Sequence, residues 1–205
     1  MRRLSSLLRD GRASSTAEFA LVLPLLLIFL FGIIDVGRLL WTWNQAEKAT
    51  QMGARYAVVT TPVSLGLQNY NFVSTGGVIP GEPVPTSLFG SISCTSANCS
   101  ACTGTACSQT GFTSTDTTAF PALVTYMKRY FPGITDNTKV QVTYTNSGLG
   151  YAGDPNGLAV APIVTVKLQN VSFTPTVFLL FKQAITLPPF QSSLTFEDGQ
   201  GSQSN

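Results

Sequence analysis

The pattern of apolar and polar positions divides the chain sharply. From Phe19 to Ile34 every residue is apolar apart from Gly32, with Pro24 inside the run. Sixteen residues rise about 24 Å as a helix, short of a hydrocarbon core of about 30 Å. Extension to Leu40 closes the gap and takes in Asp35 and Arg38. These lie three apart, on one helix face, where they can pair, and Arg38 can also snorkel to the interface. Trp41 and Trp43 then form an aromatic belt. Pro24 removes one helical hydrogen bond and predicts a local loosening near Ala20 and Leu21.

Helical character continues past the apolar run. Residues 44–58 lack proline, and Ala46, Ala49, Met52 or Gly53, and Tyr56 recur at three- to four-residue spacing. Such a stripe of small residues permits close approach by a partner. Pro62 stops the helix, which is predicted to run from about Ser15 to Val59.

Residues 60–115 lose this periodicity. Pro62, Pro80, Pro83 and Pro85, with Gly76-Gly77, predict turns and irregular structure, with short strands at most near Val78-Ile79 and Leu88-Phe89. A helix is predicted over 115–131, capped by Thr115 or Asp116, with Leu123, Tyr126, Met127 and Tyr130 as its apolar face. Alternation then predicts a strand over 139–146 and a longer one over 163–173. A helical turn is expected over 176–181. A last strand over 185–196 is broken by Pro188-Pro189, which mark an edge or bulge. About three strands with hairpin-scale connections make an antiparallel sheet packed on helix. The fold class is α+β. Its segments are a basic leader (1–13), a long helix (14–59) and a head (60–205), with a polar tail after Asp198.

Charge changes the picture in one place. Four arginines (Arg2, Arg3, Arg9, Arg12) against Asp10 give the first 13 residues a net +3, whereas residues 44–205 carry seven basic and seven acidic side chains. The positive-inside rule puts residues 1–13 in the cytoplasm and the head outside. A neutral head has no basic face for nucleic acid. Small residues precede the apolar run, at 13–17, rather than follow it, so the run reads as a retained anchor and not a cleaved secretory signal.

Candidate chemistry is sparse. The chain has no histidine, which removes the commonest general base, the usual metal ligand and the Ser-His and Cys-His pairs. Asp116, Asp136 and Asp154 are scattered in turn contexts, so no enzyme and no cofactor is predicted. The 154–157 loop lacks the alternating carboxylates of a calcium site and reads as a turn. Asn170-Val-Ser is a glycosylation sequon. All four cysteines, Cys94, Cys99, Cys102 and Cys107, fall in a C-x4-C-x2-C-x4-C cluster. An oxidising exterior favours two disulfides over a zinc site, whose ribbons usually use two C-x-x-C pairs; three connectivities remain open. A redox role for Cys99-x-x-Cys102 lacks its βαβ context.

Glu18 stands at the mouth of the apolar run. A carboxylate entering lipid costs roughly 2.5–3.5 kcal/mol, so it calls for a partner; a helix N-terminus at headgroup depth is the competing environment. The segment AEFALVLPLLL (17–27), preceded by arginines and followed by Gly37-Arg38, resembles the N-terminus of TadE-like proteins, minor pilins or pseudopilins of tight-adherence (Flp-type, type IVb) pili. The resemblance implies that a prepilin peptidase cuts between Ala13 and Ser14, with Ala13 in place of the usual glycine. Glu18 followed by Phe19 would then be the pilin glutamate, facing the free amine of a neighbouring mature chain. The implied partners are the inner membrane, the peptidase, other pilins and the pilus assembly platform. The competing reading is a single-pass exterior binding or adhesin module that never polymerises.

Overall fold

A computed structural model describes residues 11–155, 158–176 and 184–196, with side chains from Ser15 onward. Contacts divide the chain into two units. One comprises Met1–Thr42 with Ser172–Ile185, the other Trp43–Val171 with Thr186–Asn205.

Helix α1 spans Gly11–Val59 and includes Pro24. It belongs to the first unit up to Thr42 and to the second thereafter. Also in the first unit is β5 (Ser172–Phe173), which pairs with the two-residue strand β6 (Ile185–Thr186) to make a two-stranded ribbon.

The second unit is α+β, as predicted. Its sheet is antiparallel with strand order β2-β1-β3-β4-β7, built from β1 (Ser91–Cys94), β2 (Cys99–Thr103), β3 (Val140–Thr145), β4 (Ile163–Leu168) and β7 (Phe190–Thr195). The register at the centre pairs Val142 with Val166 and Tyr144 with Val164. Alternation in β3 thereby buries Val140, Val142 and Tyr144 on one face. Short helices α2 (Leu65–Asn69) and α3 (Ala119–Lys128) complete the unit.

This sheet corrects the expectation of about three strands: it has five. The two extra strands, β1 and β2, lie in the stretch expected to be irregular. The sequences SISC and CSACT carry almost no apolar alternation, so periodicity could not find them. Pairing makes them strands: β1 pairs with β3 through Ser91↔Thr145 and Ile92↔Tyr144, and β2 pairs with β1 through Ser93↔Ser100 and Cys94↔Cys99. The expected strands near Val78-Ile79 and Leu88-Phe89 do not form, although Phe89 is fully buried. The long strand expected over 163–173 is two. Asn170 takes a positive φ of 57° and breaks the extended backbone between β4 and β5. The helical turn expected over 176–181 lies largely outside the described residues.

The core of this unit gathers Phe89, Ile92, Phe112, Phe120, Leu123, Met127 and Tyr144, all essentially without exposure. The small-residue stripe of α1 faces this core. Ala46, Ala49, Ala54 and Ala57 are buried, and a Cβ on Gly53 would come within 2.8 Å of Met127 Cγ and Sδ. The partner that small residues admit is therefore α3 of the same chain. Tyr56 stacks on Tyr126 with ring centroids 4.7 Å apart, and Trp43 meets Phe190 edge-on at 4.9 Å.

Two polar ties hold loops to the sheet. The buried Tyr144 hydroxyl accepts a hydrogen bond from Val63 N–H at 2.9 Å, just beyond the end of α1. The Asn146 amide donates to the carbonyls of Val84 and Phe89 at 2.9 and 2.8 Å. These satisfy backbone groups that the proline-rich connection could not pair by itself.

Candidate anchoring and assembly site

The apolar run forms one continuous helical surface, and among the described residues nothing packs over most of it. Its large apolar side chains are exposed from Phe19 to Ile34 and again at Val36, Leu40 and Trp41, including Leu21 at 79% and Trp41 at 67%. A soluble protein rarely exposes a contiguous apolar surface of this extent. The helix is long and apolar enough to cross a membrane once. From Phe19 to Trp41 it rises about 33 Å, a match to the hydrocarbon core.

Ala13 and Ser14 have helical backbone within the first turn of α1, and Glu18 is exposed one turn further on, next to Phe19. Pro24 sits inside the helix and does not end it.

Asp35 stands apart from its surroundings. Among the described side chains from Ser15 to Gln45, it alone is buried, with 7% exposure. Arg38 donates to its Oδ1 at 3.1 Å, the pair anticipated from the i,i+3 spacing. The sequence did not reveal a second donor: Thr176 N–H reaches the same oxygen at 2.8 Å. Arg38 also donates to the Thr176 hydroxyl, and its guanidinium lies over the Phe173 ring, 5.5 Å from the centroid. The segment 173–176 thus covers Asp35. Asp35 and Thr176 are separated by 141 positions, and no local pattern links them.

The four cysteines close two disulfides, Cys94–Cys99 and Cys102–Cys107. The first joins the facing ends of β1 and β2, where Cys94 and Cys99 are register partners. The second ties the end of β2 to the 3-10 turn Thr105–Ser108. With every thiol paired, the zinc alternative falls. Among the described residues no group of three or more His, Cys, Asp or Glu side chains could hold a metal.

Two carboxylates in the second unit serve as local caps. Asp116 Oδ1 accepts from Thr118 N–H at 2.7 Å and Ala119 N–H at 2.9 Å at the start of α3, and Gln68 donates to Oδ2 at 3.0 Å. Partial burial works to raise the Asp116 pKa, but these hydrogen bonds outweigh it and the net shift is downward. Asp136 accepts from Thr138 N–H at 2.9 Å, and that bond lowers its pKa. Both are accounted for by turn and helix geometry.

The N-terminal segment has a match among known families. Residues 13–55 match the TadE-like protein family. The matched TadE-like segment contains Ala13, Ser14, Glu18, the whole apolar run and the Asp35–Arg38 pair, and it ends within the part of α1 that packs in the head. No curated protein and no solved structure gives a match to the chain. The TadE-like match and the apolar helix together are consistent with a membrane-anchored protein related to Tad pili.

Proposed function

We propose that this protein is a minor pilin or pseudopilin of a tight-adherence pilus, held in the inner membrane by α1 and assembled through its exposed apolar surface. The carrying observation is the TadE-like match over 13–55, centred on a helix whose large apolar side chains from Phe19 to Ile34 are exposed. In this reading residues 1–13 are cytoplasmic and the head is exported. A prepilin peptidase removes the leader between Ala13 and Ser14, and the new amine of one subunit pairs with Glu18 of its neighbour. Glu18 fits that role because a carboxylate at the mouth of an apolar surface is stabilised by a positive charge brought against it. The protein is a substrate of the peptidase and not itself an enzyme.

Glu18→Ala tests the reading. The variant inserts in the membrane at the wild-type level but supports at least about tenfold fewer pili, the loss of one charge-assisted contact per subunit joint. Wild-type piliation would sink the assembly role. Mass spectrometry of the membrane form is the companion measurement. A chain starting at Ser14 supports it, and an intact Met1 favours a simple anchor.

A further inference from the structure

The buried carboxylate at Asp35 lies inside the apolar span. Exposed apolar side chains continue beyond it at Val36, Leu40 and Trp41. Six helical rises separate Asp35 from Trp41, about 9 Å along the axis. If the tryptophans mark the membrane interface, Asp35 and everything bonded to it stand below that interface. Thr176 is bonded to it through its backbone N–H, and Phe173 is within cation–π range of Arg38.

We propose that the arm formed by residues 172–176 is a second membrane-embedded element, latched to α1 by Asp35 in the outer leaflet. This rests on the bilayer-spanning part of the reading above and not on pilus assembly. Three observations carry it. A backbone N–H at lipid depth must find an acceptor within the protein, and Asp35 supplies one to Thr176. A carboxylate at that depth must find donors, and Thr176 and Arg38 both donate to it. Finally, residues 172–176 carry no charged side chain, whose burial at lipid depth would be costly. The latch therefore resolves both polar costs of the site at once, which neither an Asp35–Arg38 pair alone nor a water-bathed arm would require.

The test places an environment-sensitive NBD fluorophore at Thr174 by amber suppression, which leaves the four cysteines paired. The full chain is reconstituted in nanodiscs of phosphatidylcholine and phosphatidylglycerol. Dithionite, a charged aqueous reductant, reports exposure. Leu26 serves as the deep reference and Thr117 as the aqueous one. The expected bleaching rate at Thr174 is at least about tenfold below that at Thr117, because the ion is excluded from hydrocarbon. Asp35→Leu should raise the Thr174 rate towards the Thr117 value with Leu26 unchanged, whereas Asp35→Asn, which keeps an acceptor oxygen, should hold it near wild type. A Thr174 label bleached as fast as Thr117 while Leu26 stays protected overturns the embedded arm alone. A bleached Leu26 overturns the span and the arm together. Protection of Thr174 that survives Asp35→Leu overturns the latch. No pilus component is present, so none of these outcomes bears on assembly.

Discussion

Tyr144→Phe probes how the end of α1 is joined to the sheet. Tyr144 is the next-to-last residue of β3, has no exposure, and its hydroxyl takes the Val63 N–H at 2.9 Å. Burial pushes its pKa upward, so the phenol stays neutral throughout the accessible range. Phenylalanine fills nearly the same volume, so the packing loss is confined to one oxygen atom. What changes is Val63, whose N–H is left in the interior without an acceptor. An orphaned buried donor costs about 1–3 kcal/mol, larger than the roughly 0.5–1.5 kcal/mol net value of an ordinary hydrogen bond. For a chain of this size each kcal/mol moves the midpoint by about 2–4 °C, so a fall of about 2–12 °C is expected. Thermal unfolding of the detergent-solubilised full chain, followed by near-UV circular dichroism with disulfides intact, measures it. A midpoint within 1 °C of wild type would show that Val63 finds another acceptor, and the argued tie would be refuted.

Three further outcomes follow from the same packing. Gly53→Leu drives a side chain into the fully buried Met127 across the α1–α3 contact; overpacking of about 1–3 kcal/mol or more exceeds the gain of under about 1 kcal/mol in helix propensity, so the head should be destabilised in urea unfolding. Asp116 has a folded pKa below its unfolded value. Its contribution is therefore present above about pH 4 and lost as pH falls through the folded value; in Asp116→Asn that acid-side slope of stability should flatten, in a urea series from pH 6 to pH 2. Reducing either disulfide opens a loop of sequence separation 5, and loop-closure entropy assigns about 2 kcal/mol to each; unfolding with and without reductant, in Cys102→Ser/Cys107→Ser against wild type, separates the two bridges.

The long helix, its apolar run and the Asp35–Arg38 pair were legible in the amino-acid order because they depend on spacing within one element. Periodicity at 3.6 residues and a 16-residue apolar run need no knowledge of what lies elsewhere. The same holds for β3 and β4, whose alternation at period 2 announces one buried face. The cysteine cluster was legible as a pair of bridges but not in its pairing, because four cysteines at close spacing permit three connectivities and only the β1–β2 register brings Cys94 opposite Cys99.

Tertiary structure decided the rest. SISC becomes a strand through neighbours about fifty residues away in β3, and CSACT is added at the edge by pairing with SISC, so their own composition carries no sign of it. The small residues of α1 at 46, 49 and 53 announced a close partner, yet nothing local says whether that partner is another chain or, as found, α3 and its Met127. Asp35 shows the division most clearly. Its place on the helix, beside Arg38, was set by sequence alone, because residues three apart share a helix face. Its burial, and the Thr176 N–H that it holds, come from a segment 141 positions away, and contacts at that distance are fixed by the fold and not by any pattern along the chain.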